Sequence, residues 1–196
     1  MRWGAVGARA LALAVCAFSG AGRGADAQDA RLEALLARVR PQAALEREFT
    51  ETKQLALLAE PLVSRGVMAF TPPDRLRWEV REPEPSVLRV AGDVVELERR
   101  GARTRRLDLA LEPGARGLVD AVRLLLIGDA AGLERAYALS FTEESAAWRI
   151  ALEPRDAAQR RVITRLELSG AGDSARELRL EFANGDRSQV TFGAPR

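Results

Sequence analysis

Apolar and charged residues alternate with a period of two along most of the chain, from about Ala44 onward. Turn sequences such as Ala91-Gly92-Asp93 and Asn184-Gly185 separate about ten alternating segments. Successive side chains of a β-strand point to opposite faces, so the pattern predicts antiparallel strands with one apolar and one solvated face. The predicted apolar positions are Met68 and Phe70; Leu76, Trp78 and Val80; Leu88 and Val90; Val95 and Leu97; Leu107 and Leu109; Tyr137, Leu139 and Phe141; Trp148, Ile150 and Leu152; Val162, Thr164, Leu166 and Leu168; Leu178, Leu180 and Phe182; Val190 and Phe192.

Two stretches follow helical spacing instead. The first begins with Asp29 as a candidate cap and ends before Pro41. The second lies between Pro113 and about Arg135, where Gly128-Asp129 marks the end of the helix and a second short helix is expected to follow through Leu133. Both place apolar side chains on one helical face. Those side chains are Leu32, Leu35, Leu36 and Val39 in the first stretch, and Leu118, Val119, Val122, Leu125 and Leu126 in the second.

The apolar face of such a sheet must be covered, because it cannot be left in water. The two helices are the predicted cover. Each apolar residue by itself fits a filled core. Ten strands, however, surround more space than the side chains of a packed eight-stranded barrel fill, and this favours a ligand cavity.

The N-terminus has the order of features found in a secretory signal. Arg2 and Arg9 precede an apolar run at 10–18, and Ala25-Asp26-Ala27 forms an A-x-A cleavage site. The run is about half the ~20 residues that a membrane-spanning helix needs. We therefore expect residues 1–27 to be removed and 28–196 to form one domain. The alternative is an amphipathic N-terminus that is retained.

The formal net charge of +2 falls to zero once the predicted leader is removed. Basic residues, of which Lys53 is the only lysine after the leader, are interspersed with acids, so no surface for nucleic acid is expected. One basic cluster stands out at 99–106 (RRGARTRR). It fits a solvated hairpin around Gly101, with contact to an anionic headgroup as the alternative.

The residue types needed for common catalysis are scarce. The chain has no histidine, and its single cysteine, Cys16, lies in the predicted leader. We therefore expect no metal, no cofactor and no enzymatic activity. Glu143-Glu144 is the strongest carboxylate pair, but adjacent strand residues point to opposite faces, and with Ser145 the pair resembles a hairpin tip.

Several motifs, in order, resemble the LolA family of lipoprotein carriers. They are FTETKQ at 49–54, LAEPLVSRG at 58–66, PDRLRW at 73–78 and VAGD at 90–93. LLLIGD at 124–129, Trp148, Leu152-Glu153-Pro154 and Asn184-Gly185-Asp186 are similar to a LolA-like branch associated with aryl polyene pigment clusters. The resemblance covers almost the whole chain after the leader.

The resemblance implies a monomeric periplasmic carrier of roughly eleven strands. It would carry acyl chains of a lipoprotein or lipid-like cargo from an inner-membrane donor complex to an outer-membrane acceptor. The alternatives are an envelope lipid sensor or interaction module, and a carrier of an aryl polyene or another lipid. The sequence departs from the family pattern at one position. Pro72 stands where the resemblance places the arginine that latches the family's lid, and proline has no side-chain donor.

Together, pattern and resemblance predict a mainly β fold with helices, of the α+β class. The expected form is an incomplete, strongly curled antiparallel β-barrel of about 10–11 strands under a helical lid. The candidate lipid-binding residues of its cavity and lid are Met68, Phe70, Leu76, Trp78, Val80, Leu88, Val90, Leu97, Leu107, Leu109, Leu118, Val122, Leu125 and Leu126.

Overall fold

The computed structural model describes residues 22–195 and shows a single antiparallel sheet with helices on one face. The strands are β1 Leu45–Gln54, β2 Leu62–Thr71, β3 Arg75–Glu82, β4 Ser86–Ala91, β5 Val94–Arg99, β6 Arg105–Asp108, β7 Tyr137–Glu144, β8 Ala147–Pro154, β9 Ile163–Ala171, β10 Ser174–Phe182 and β11 Arg187–Pro195. The helices are α1 Gly22–Val39, α2 Pro113–Ile127, α3 Ala130–Ala136 and α4 Ala157–Arg160.

The strand order is β6-β5-β4-β3-β2-β1-β11-β10-β9-β8-β7. Chain neighbours pair as hairpins within each half of the sheet, and the β1–β11 pairing joins the two halves. β6 and β7 remain as the two edges, so the sheet is not closed into a barrel. α2 and α3 connect these edges. The predicted fold class, mainly β with helices and an incomplete barrel, is confirmed.

The core lies between the apolar face of the sheet and α1, α2 and α3. Leu32, Leu35 and Leu36 of α1 are at most 1% exposed, because helical spacing brings all three onto the face toward the sheet. α1 also covers the edge strand β7: the Gln28 side chain donates to the Phe141 carbonyl oxygen at 3.1 Å. This contact satisfies an acceptor that an uncovered edge would expose.

Three local expectations were wrong. α1 begins at Gly22, so Asp29 lies inside the helix and is not its cap. Leu109 is fully buried but belongs to a 3-10 turn at Leu109–Leu111, because the Asp108 side chain caps this turn by accepting from the Ala110 N–H. Val162 lies outside β9 and is 45% exposed, because an irregularity in the β9–β10 pairing brings Ile163 opposite Phe182.

The leader predicted at 1–27 falls largely outside the described residues. Ala25 and Ala27, the predicted cleavage residues, lie in the first turns of α1. Within 22–195, no helix has both the length and the apolar character required to cross a membrane.

Candidate functional site

α2 lies against one half of the sheet and leaves almost no space beneath it. Phe70, Leu76 and Val90 of the sheet face Val122 and Leu126 of the helix across a cavity of about 10 Å³. This volume accommodates roughly one water molecule. The interface between helix and sheet is therefore closed in this structure.

An apolar ladder crosses the neighbouring part of the same face. We define it as Trp78, Leu88 and Leu97, which are paired across β3, β4 and β5 and are all half-buried. The Trp78 ring stacks on Phe49, with ring centroids 3.9 Å apart. The ladder presents apolar surface that the helices cover only in part.

The apolar ladder ends in positive charge. Arg105 pairs with Leu97, and Arg99 lies two residues beyond Leu97, so both arginines follow on the same face of the sheet. Both side chains are exposed, and within residues 22–195 neither guanidinium has an acidic partner. The predicted hairpin around Gly101 is confirmed, since Gly101 has a positive φ of 75° between β5 and β6. Apolar surface with a cationic end suits an amphiphile whose head is anionic.

The predicted cavity and lid residues occupy three environments. Phe70, Leu76, Val90, Val122 and Leu126 line the small cavity. Met68, Leu118, Leu125, Leu107 and Leu109 belong to or pack on the buried clusters. Trp78, Val80, Leu88 and Leu97 are half-buried, and the first three also pack against those clusters.

Polar contacts from both ends of the sheet hold α2 in place. Arg123 donates to the Gly92 carbonyl oxygen at 2.6 Å, and Arg116 pairs with Asp93 at 3.6 Å, so two arginines of α2 contact the β4–β5 turn. From β7, the Tyr137 hydroxyl donates to the Gly117 carbonyl oxygen at 2.6 Å, and burial raises the pKa of this hydroxyl to about 12.

Pro72, which the sequence resemblance aligns with the latch arginine, is exposed in the β2–β3 turn. The hydrogen bonds that hold α2 come from donors on α2 itself and on β7.

Two charged residues of β1 are buried within the sheet. Arg47 is 5% exposed, donates to the Gly193 carbonyl oxygen at 2.9 Å, and burial lowers the pKa of its guanidinium. Glu51 is 6% exposed and accepts a hydrogen bond from the Ser188 hydroxyl at 2.6 Å. Buried charge is retained only where partners compensate it, and these partners lie on β11, so both residues strengthen the junction between the halves of the sheet.

Glu143, the carboxylate considered for hydrolysis, holds α1 on the sheet. Its carboxylate accepts a hydrogen bond from Arg38 at 2.7 Å and lies 3.6 Å from Arg31. These arginines, Arg38 first, keep the pKa of Glu143 below its ordinary value. A general acid requires the opposite shift, so the carboxylate serves as an ion-pair partner.

A separate groove of about 430 Å³ opens where β1 and β10 end. It has an apolar floor and three cations. The strand pattern could not reveal it, because its residues come from distant parts of the sequence and meet only through strand pairing. They are Lys53, Leu55, Arg161, Val162, Phe182, Asn184, Asp186 and Arg187.

Within the part of the chain that the structure describes, no three His, Cys, Asp or Glu side chains come together as metal ligands.

Three solved structures are similar to this chain at low sequence identity. A DUF1329 family protein from Desulfovibrio piger has a TM-score of 0.50 at 9% identity, covering 87% of this chain and 92% of that one. A LolA superfamily protein from Nitrosomonas europaea has a TM-score of 0.49 at 11% identity, and the match covers 86% of this chain and 92% of that one. The Pseudomonas aeruginosa MucA/MucB complex has a TM-score of 0.34 at 19% identity, and the match covers 85% of this chain and 58% of that one.

No protein with a curated functional description matches the chain. A family model does match, over residues 23–194, which is nearly everything the structure describes. That model is described as "Outer membrane lipoprotein carrier protein LolA-like". The match extends from α1 through β11 and includes the sheet, α2 and the apolar ladder, and the chain therefore belongs to the LolA-like family of outer membrane lipoprotein carrier proteins.

Proposed function

We propose that the protein is a periplasmic carrier that binds acyl chains of a lipoprotein or another lipid on the apolar face of the sheet, beneath α2. The observation that carries this proposal is the apolar ladder itself: three half-buried apolar side chains, paired across adjacent strands, that end at two exposed arginines. Family membership supports it, because the model that matches is described as a lipoprotein carrier.

Binding requires α2 to move. The cavity beneath the helix is about 10 Å³, far below the several hundred cubic ångströms typical of ligand sites. An acyl chain that begins on the apolar ladder would extend toward Phe70 and Leu76 as α2 moves outward. Burial of each methylene contributes about 0.8 kcal/mol, and the free energy of opening offsets part of this gain. The resulting moderate affinity suits a carrier, which must also release its cargo.

The cationic end of the ladder favours a cargo with an anionic head. Arg99 and Arg105 would face that head while the chain lies along Trp78, Leu88 and Leu97. The candidate cargoes are the acyl chains of a lipoprotein, an aryl polyene and another lipid. The donor complex in the inner membrane and the acceptor in the outer membrane are part of the same proposal.

Titration with a fatty acid and an apolar fluorescent probe tests this function. We expect saturable binding that an acylated cargo displaces, and Leu88→Gln should weaken it about tenfold because a polar group enters the ladder. Val87→Gln is the matched control, since Val87 neighbours Leu88 on β4 and points to the opposite face. Calorimetry and fluorescence that both show no binding to folded protein would mean that the face is only a packed core.

The contact between Arg123 and Gly92 should set the rate at which α2 opens. Arg123→Met removes a charge-assisted hydrogen bond of 2.6 Å, so we expect the probe to associate several-fold faster. Stopped-flow mixing measures this rate. Arg135→Met on the exposed side of α3 serves as the control. Equal association rates for the wild-type protein and Arg123→Met would rule out Arg123 as a latch.

A further inference from the structure

Five of the six exposed large apolar side chains of residues 22–195 lie at one end of the molecule. Val162 lines the 430 Å³ groove, and Leu62 pairs with Lys53, another groove residue. This end contains Leu57, Leu58, Leu62, Val63 and Val162. We call this set the leucine end.

The β1–β2 loop that carries Leu57 is held by hydrogen bonds. Its Ala56 N–H donates to the Asp186 carboxylate at 2.8 Å, and the Leu58 N–H donates to the Leu55 carbonyl oxygen at 3.0 Å. Leu57 is nevertheless 97% exposed. An ordered loop that holds leucine in water has a cost in hydration free energy, and such patches mark binding surfaces.

Three cations line the groove beside this surface. They are Lys53, Arg161 and Arg187, and within the described residues Arg161 and Arg187 have no acidic partner. Lys53 pairs with the buried Glu51 at 3.2 Å, and Asp186, the one carboxylate of the lining, accepts from the Ala56 N–H. The lining is therefore net cationic, although the adjoining loop also carries the exposed Glu60.

We propose that the leucine end docks on a bilayer surface that contains anionic phospholipid. Leu57 and Leu58 enter the boundary between headgroups and acyl chains, and Arg161 and Arg187 meet the phosphates at the groove. Apolar side chains flanked by cations are the combination that binds such interfaces. A bilayer fits better than a protein partner, because Leu57 and Leu58 project from a loop beside the unpaired Arg161 and Arg187. The docking surface is separate from the apolar ladder and does not depend on the proposed cargo site.

Co-sedimentation with lipid vesicles tests the proposal. The protein is expressed from its full sequence and purified after the host has removed the predicted leader. We expect binding to phosphatidylglycerol vesicles and much weaker binding to phosphatidylcholine vesicles. Leu57→Asp should lower the partition coefficient at least tenfold, and Arg161→Gln about fivefold on anionic vesicles only. Because Leu57 is exposed, its replacement leaves the fold intact, which circular dichroism verifies.

Arg176 provides the matched control, because it is exposed at the start of β10, at the opposite end of that strand from the groove. Arg176→Glu should leave vesicle binding within about twofold of the wild-type protein. Absence of binding to anionic vesicles, unchanged binding by Leu57→Asp, or an equal loss with Arg176→Glu would overturn the proposal. The fatty-acid probe assay separates the two sites, since Leu57→Asp should retain probe affinity whether or not it binds vesicles.

Discussion

Leu166→Glu should abolish the folded state, whereas Leu125→Glu should leave the sheet folded and lower probe affinity about tenfold. Leu166 is 2% exposed and is paired with Leu152 on one side and Leu180 on the other, deep in the sheet. A carboxylate there has neither water nor a partner, so the expected loss is about 4 kcal/mol or more of unfolding free energy.

Leu125 is nearly as buried, at 5% exposure, but it belongs to α2. Side-chain packing and a few polar contacts hold this helix, not a strand ladder, so α2 can move outward and hydrate the new carboxylate. The expected stability loss is about 1–2 kcal/mol, the ordinary range for a single substitution. Urea unfolding followed by circular dichroism, together with probe titration, measures both quantities. Equal collapse of the two variants would show that α2 is part of the core and does not act as a lid.

Gly170→Ala should destabilise the protein by about 2 kcal/mol, although it adds only one methyl group. Gly170 lies in β9, where a Cβ atom would clash with the Trp148 ring and with the Ser174 carbonyl oxygen. The ring cannot retreat freely, because its indole N–H donates to the Gly172 carbonyl oxygen at 3.1 Å. Relief therefore requires a shift of the strand or loss of this hydrogen bond.

Gly193→Ala is the matched control, because Gly193 is also in a strand and a Cβ there would lie an ordinary 3.6 Å from Glu48. Its expected effect is neutral or slightly stabilising, since alanine restricts the unfolded chain. Thermal unfolding of both variants measures the difference. A Gly170→Ala protein as stable as Gly193→Ala would mean that the region around Trp148 is loosely packed.

Most of the individual strands and helices could be predicted from the sequence, because each depends on a short periodic pattern. The alternation around Trp78 and Val80 predicts β3, and the spacing of Leu118, Val122 and Leu125 predicts α2. The period-two pattern predicted the wrong environment for Val162. An irregularity in the β9–β10 pairing reverses the two faces there, and the residue types do not reveal it. Arg47 and Glu51 share the strand parity of Leu45 and Phe49, although charged residues are usually solvated, and their partners on β11 make burial tolerable.

The sequence by itself determined the kind of most elements, the scarcity of catalytic residue types and the LolA-like resemblance, since these depend on residues close together in the chain. Only the tertiary structure decided that the halves of the sheet join through β1 and β11 and that Arg123 donates a hydrogen bond to the β4–β5 turn. It also decided that Lys53, Arg161 and Arg187 meet at one groove. These contacts join residues far apart in sequence, and their geometry depends on strand register and sheet curvature, which local hydrophobic periodicity does not encode.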